Sequence, residues 1–272
     1  MQIHIFDVAH GFCAYVIADN GNTMLMDCGH NDQTSFHPAD YLLQNRCTGI
    51  ESFFVLNYDE DHLSGLPRLR QYVHRIPIQV LYRNPSVTAD QLRRIKQQSG
   101  PLGPGMLALL QMIETFTPGV VNFPAFPSIE FRVFWNSYPG FTDTNNLSLT
   151  LFLHYPGLSI VFPGDLEKAG WRSLLGKADF TNHLARVNLF VASHHGRENG
   201  YLREVFDHCR PEVIIISDET KQYDTQETDY SIHASGIPNS ARGGTRRVLT
   251  TRNDGMLVIT ASGRDYRITP SR

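Results

Sequence analysis

Three times along this 272-residue chain, an apolar, strand-like run ends in side chains that bind protons or metals. SFFVLNYDEDH ends in Asn57, Asp59, Asp61 and His62; LSIVFPGD ends in Asp165; RVNLFVASHHG carries His194 and His195 at its end. Short apolar runs rich in Val, Ile, Leu and Phe, bounded by turn residues, read as buried strands. The ends of such strands converge on one rim of a sheet, so the three segments can meet there. Carboxylates and imidazoles gathered at one rim repel or desolvate one another unless a cation binds them, and a divalent metal is the economical cation. Singly, each segment has a bland reading: DxDH as a strand-to-helix turn capped by Asp61, HHG as a loop, GD as a turn. Their recurrence at one kind of address is what constrains the fold.

The rest of the chain supplies the layers. IHIFDV, FCAYVIA and TMLMDCG read as strands, with NGN at 20–22 as the turn between the last two. A short helix is expected over residues 37–43, another where Leu63, Leu66, Leu69 and Val73 recur at helical spacing, and IQVLYR (78–83) is a strand. IEFRVFW, SLTLFLHY and EVIIISD read as strands, 167–176 and 199–208 as helices, and the tail from RRVLTT as a hairpin or meander with a turn at Asn253–Gly255. This order fits the α/β class: an αββα sandwich, two mixed β-sheets packed face to face with helices outside. The chain is read as one domain, 1–272, with 84–128 as an insertion or lid, because ~45 residues bury too little core to stand alone.

Composition narrows the functions. Hydrophobic residues at 41% and charged residues at 19% allow a packed core and exclude wholesale disorder. No apolar run approaches the ~18 residues of a membrane span. The start, MQIHIFDVAHG, lacks a basic region followed by a long apolar stretch. The expectation is a soluble, cytoplasmic protein with no membrane partner. A net charge of −3 excludes a basic nucleic-acid coat, although the cations, 20 Arg against 4 Lys, suit phosphate or carboxylate contacts. Cys13, Cys28, Cys47 and Cys209 show no CxxC spacing, which argues against a cysteine zinc site and a disulfide scaffold.

The motifs and their order resemble the metallo-β-lactamase superfamily, in particular the branch like the metallo-hydrolase domain of the competence protein ComEC. The resemblance covers nearly the whole chain. IHIFDVAHGFCAYVI followed by NTMLMDCGHN is similar to the family opening that ends in DxG. NYDEDHLSGL is similar to the HxDxDHxGG metal motif, NNLSLTLFLHY to the NxSL strand, FPGDLE to TGDxE, and VASHHG to VPHHGS. TTRNDGMLVIT is similar to the closing strand pair.

The resemblance implies a role for each matching position. Asp61 and His62 match the pair that holds the second metal, Asp165 matches the carboxylate joining two metals, and His194 or His195 matches the last ligand. The histidine that is not the ligand would contact a substrate oxygen or orient its neighbour. Asp59 stands where the motif has its second His, as in the ComEC-like branch. The chain departs from the family at Asn57, which replaces the first His, and at Asn146 and Ser148, which fall where a third His is expected. Phe12 replaces an acidic residue and His10 a Gln. The first metal position would then be oxygen-rich, built from Asn57, Asp59, Asp165 and Asn146. The second would use Asp61, His62, Asp165 and His194 or His195. The expected cofactor is one or two divalent ions, Zn²⁺ or Mn²⁺. Asp61, His194 and His195 are the expected catalytic residues; Asn146, Ser148, Tyr223, His233 and His10 are candidates for substrate contact. The implied chemistry is hydrolysis by a metal-activated water, directed at phosphodiesters, with nucleic acid or nucleotide as partner. An ester or lactone hydrolase and a non-catalytic metal- or partner-binding domain are the alternatives.

Overall fold

The computed structural model describes residues 1–116, 122–219, 225–238 and 244–272. Its strands are β1 (Gln2–Ile5), β2 (Ala14–Ile17), β3 (Thr23–Met26), β4 (Ile50–Phe54), β5 (Ile78–Tyr82), β6 (Glu130–Trp135), β7 (Leu149–Tyr155), β8 (Leu158–Phe162), β9 (Leu189–Val191), β10 (Val213–Ile216), β11 (Ile237–Pro238), β12 (Thr245–Arg246), β13 (Val248–Thr250), β14 (Leu257–Ser262) and β15 (Asp265–Pro270). Among the described residues they form a seven-stranded sheet, β15–β14–β1–β2–β3–β4–β5, a six-stranded sheet, β13–β10–β9–β8–β7–β6, and a short β11–β12 ribbon. Both large sheets are mixed. β3, β4 and β5 run parallel in the first, and β8, β9, β10 and β13 in the second.

Side-chain alternation explains why these sheets stack and why helices cover them. Ile3 and Ile5, Met24 and Met26, Leu151 and Leu153, Ile160 and Phe162, and Val213 and Ile215 fill the space between the sheets. Their neighbours Leu25, Phe53, Phe152, Val161, Phe190 and Ile214 face the opposite way. A strand buried on both faces reads as a continuous apolar run, as VIII at 213–216 does. Each large side chain removed from water in this way contributes roughly 1.5–3 kcal/mol.

The outer faces need partners, and the helices supply them. Over the first sheet lie α1 (Pro38–Gln44), α2 (Glu60–Leu63), α3 (Leu66–Gln71), α4 (Ala89–Gln97) and α5 (Pro104–Thr115). Over the second lie α6 (Lys168–Leu175), α7 (Ala178–Leu184) and α8 (Glu227–Ser231). Residues 84–128, expected as an insertion or lid, carry α4 and α5. Leu92, Met106, Leu109 and Leu110 from this segment pack into the same outer core as Leu63, Leu66 and Leu69. The polar α4 starts on a reciprocal cap: Thr88 accepts from the Gln91 amide, and the Gln91 side chain accepts from the Thr88 amide.

Two expectations need correction. Asn253–Gly255 is not a hairpin turn. Thr250 Oγ1 accepts from the Asn253 amide and starts a one-turn helix, α9 (Thr251–Asp254), which carries the chain from β13 in the second sheet to β14 in the first. The hairpin lies further on, where β14 pairs with β15. Residues 199–208 hold a 3₁₀ turn at Arg203–Asp207 rather than a full helix.

Candidate metal centre

Five of the parallel strands end at one rim, and each delivers a residue there. Asp27 follows β3, Asp61 and His62 follow β4, Asp165 follows β8, His194 and His195 follow β9, and Ser217 follows β10. His10 comes from the loop between β1 and β2. Backbone hydrogen bonds lace these loops together. The Cys28 amide donates to the His62 carbonyl at 2.7 Å, the His194 amide to the Gly164 carbonyl at 3.2 Å, and the Ala192 amide to the Ile215 carbonyl at 2.8 Å. Ser193 Oγ donates to the carbonyls of Gly164 and Leu166, tying the His195 loop to the Asp165 loop. Asp27, His194 and His195 all adopt left-handed backbone, with φ of 54°, 49° and 54°. Such strain in non-glycine residues persists only where the surroundings over-determine it, and it clusters at functional sites.

The side chains converge tightly. Ligand-type atoms of His62, Asp165 and His195 all lie within 4.8 Å of one another, as do those of His10, Asp61 and His195. His62 Nε2 sits 3.0 Å from Asp165 Oδ1; His195 Nε2 sits 3.3 Å from Asp61 Oδ2 and 3.7 Å from Asp165 Oδ2. His10 Nε2 is 3.4 Å from Asp61 Oδ2. Each of the two buried imidazoles is anchored through its other nitrogen. His62 Nδ1 donates to Asp27 Oδ2 at 2.6 Å, and His195 Nδ1 donates to the Ser217 carbonyl at 3.0 Å. That fixes each ring and leaves both Nε2 atoms buried and turned inward, 3.0–3.7 Å from the carboxylates with no hydrogen bond of good geometry. Buried polar atoms are usually paired, and two inward-facing imidazole nitrogens beside carboxylates mark a candidate cation site. A cavity of about 10 Å³, the size of one small species, is lined by His62, Asp165 and His195 together with Phe12, Leu56, Phe162 and Val191.

Electrostatics points the same way. Burial opposes charge on His62, yet the Asp165 and Asp27 carboxylates overcome it and hold this imidazole well above its ordinary value. His195 is raised despite its burial by Asp165 and Asp61. Burial would raise Asp61 and Asp165, but the imidazoles beside them pull both down. The group is an electron-rich pocket that holds protons where a metal would compete for them. His10 behaves differently: burial, with His195 and Arg197 beside it, pushes it down to about 4, so it is neutral near pH 7. Arg197 Nη2 donates to His10 Nε2 at 2.5 Å and Nη1 to His194 Nε2 at 3.1 Å.

The remaining expected residues are placed elsewhere. His194 is not among the converging atoms: its Nδ1 lies 3.7 Å from Glu167 Oε1, and its Nε2 accepts from Arg197. The oxygen-rich position is not what the geometry assembles. Asn57 Oδ1 accepts from the Asp59 amide, and Asn57 Nδ2 donates to Ser148 Oγ. Asp59 Oδ1 accepts from Lys96 Nζ at 2.8 Å and from Thr144 Oγ1 at 2.7 Å. Asn146 Oδ1 accepts from the amides of Glu167 and Gly170. Ser148 Oγ accepts from the Asp165 amide. These oxygens are spent on holding loops. His233 stacks on Phe206 and meets the Tyr201 hydroxyl within the outer helical layer, away from the rim. Tyr223 lies outside the described residues. Toward the C-terminus, Arg246 pairs with Asp254, and Arg252 with Asp218 and Glu227.

Asp27 escaped the sequence reading as a functional residue. Its signal was present in the DCG turn: a carboxylate at the end of an apolar strand, at the same address as the other three segments.

No family model and no curated protein matches the chain. Solved structures do. A mutant of the β-hydroxylase CmlA superposes with a TM-score of 0.55 at 13% identity, over 95% of this chain and 54% of that one. YhfI from Bacillus subtilis, a metallo-β-lactamase fold protein, gives 0.49 at 10% identity over 94% and 98% of the two chains. A diphosphatase of the PhnP family gives 0.45 at 10% identity over 95% and 97%. At 13% identity the likeness to CmlA concerns architecture alone, and the architecture of this chain is the expected one, two mixed sheets face to face between helical layers.

Proposed function

We propose that this chain is a metal-dependent hydrolase whose centre is held by Asp61, His62, Asp165 and His195. The observation that carries the reading is the pair of buried, partnerless Nε2 atoms of His62 and His195, each ring fixed through Nδ1, facing two carboxylates. The mixed nitrogen and oxygen donors suit Zn²⁺ or Mn²⁺. When bound, a divalent ion supplies Lewis acidity and acidifies a coordinated water. The chain's own groups do the rest. Asp27 and the Ser217 carbonyl orient the two imidazoles. Phe12, Leu56, Phe162 and Val191 wall the pocket from behind and exclude bulk water, which strengthens charge interactions inside. His10, neutral and 3.4 Å from Asp61, accepts from Arg197 at Nε2 and so holds that guanidinium at the rim. Arg197, beside it, offers permanent positive charge to an anionic substrate.

The substrate class we favour is a phosphodiester, in nucleic acid or a nucleotide, as the ComEC-like motif set implies. The chain's net charge of −3 confines attraction to the cleft. The test incubates purified protein with single- and double-stranded DNA and RNA, bis-p-nitrophenyl phosphate, and ester and lactone substrates, each with Mn²⁺, Zn²⁺ or Mg²⁺. Asp61→Ala is the control. Metal-dependent phosphodiester cleavage absent from the control supports the reading. Turnover of esters or lactones alone moves the substrate class. Bound metal with no turnover of any substrate replaces the enzyme by a binding domain.

A further inference from the structure

Lys96 is one of only four lysines in the chain, and α4 delivers it to the rim. Its Nζ lies 2.8 Å from Asp59 Oδ1, with both side chains partly buried, and Thr144 Oγ1 donates to the same oxygen at 2.7 Å. Asp59 connects to the metal group through an unbroken chain of hydrogen bonds. The Asp59 amide donates to Asn57 Oδ1 at 2.7 Å, Asn57 Nδ2 donates to Ser148 Oγ at 3.0 Å, and the Asp165 amide donates to that same Oγ at 3.0 Å. The rim carboxylates therefore fall into two sets. Asp61 and Asp165 face imidazoles and an inward-turned, orphaned pair of nitrogens. Asp59 faces an ammonium.

On the reading that Asp61, His62, Asp165 and His195 hold a metal, we infer that Lys96 stands in for a second ion at Asp59, closing that carboxylate to a second metal and making the centre mononuclear. The physical reason is charge and donor supply. A divalent ion needs several deprotonated or carbonyl oxygens free of other donors. Three of the oxygens expected at that position already accept hydrogen bonds: Asn57 Oδ1 from an amide, Asn146 Oδ1 from two amides, and Asp59 Oδ1 from an ammonium and a hydroxyl. A metal entering there would sit beside Lys96, and like charges at this distance repel.

The test is metal stoichiometry, measured by isothermal titration with Mn²⁺ and with Zn²⁺ and by elemental analysis after dialysis. Wild-type protein binds one ion per chain, and Asp59→Asn leaves that ion in place. Lys96→Ala, which removes the ammonium and strands the Asp59 carboxylate, admits a second, weaker ion, and adding Asp59→Asn to it abolishes that ion. Circular dichroism confirms that each variant is folded. Two ions per wild-type chain, one of them lost in Asp59→Asn, overturns this inference and leaves the metal centre standing. One ion in both wild type and Lys96→Ala overturns the role of Lys96. No ion in wild type overturns the centre itself and the inference with it.

Discussion

Replacing Asp27 by Asn tests whether the centre depends on a group that never touches the metal position. Asp27 is fully buried and accepts two hydrogen bonds, from the Leu56 amide at 2.7 Å through Oδ1 and from His62 Nδ1 at 2.6 Å through Oδ2. Asn offers one acceptor for those two donors. The Leu56 amide cannot change its role, so the Asn oxygen faces it and the NH₂ faces His62. The imidazole then satisfies that NH₂ only by giving up its Nδ1 proton, which leaves the ring's remaining proton on Nε2, the nitrogen a metal would need. The backbone is undisturbed, because Asn tolerates the φ of 54° at this position better than most residues. Loss of such an orienting carboxylate costs about 10–100-fold in metal affinity, or about 1.4–2.7 kcal/mol. The assay is competitive metal titration against a chromophoric chelator, with the thermal midpoint of the metal-free protein as control. Wild-type affinity in Asp27→Asn would refute the reasoning, since His62 would then bind no metal through Nε2 or would need no partner to do so. Asp27→Ala differs: it leaves two buried donors unpaired and should lower stability by about 2–5 kcal/mol with or without metal.

His195→Ala and Asp165→Ala should each lose bound metal, read by elemental analysis, while His194→Ala keeps it, because His194 faces Glu167 instead. Gly11→Ala should weaken metal binding by an order of magnitude or more: φ is 148° there, and a Cβ would lie 2.3 Å from the Asp61 carbonyl oxygen, displacing the turn that carries Asp61. Acid stability should depend on His154, which is bonded to His183 Nδ1 at 2.9 Å and held at about 4 by burial with Arg186 and His183 nearby. An unfolded His titrates near 6.5, so the unfolded state binds the extra proton first. The stabilising effect of the neutral ring is complete above about pH 6.5 and lost as pH falls toward 4, an effect of about 1–2 kcal/mol after allowance for solvent screening. Denaturant midpoints measured from pH 7 to pH 4 should fall less steeply in His154→Gln, and an unchanged slope would remove this pair from the acid response.

The sequence by itself determined the layers and the address of the site. A run such as VIII is apolar on both faces, so its strand must be covered twice, and sheets face to face between helices satisfy that. The ends of β8 and β9 share a side because those strands are parallel neighbours, and stacking of the two sheets brings the end of β4 to the same rim. Local pattern could not say which of the two adjacent histidines turns inward. That depends on left-handed backbone at both residues and on the Ser217 carbonyl, which arrives from β10. Nor could it show that Asp27 holds His62, a contact across 35 residues, or that Lys96 and Thr144, 37 and 85 residues away, engage Asp59. Residue type and spacing announce what a side chain is able to bind. Which partner reaches it first is set by tertiary packing, because a carboxylate oxygen already bonded to an ammonium is no longer available to a metal.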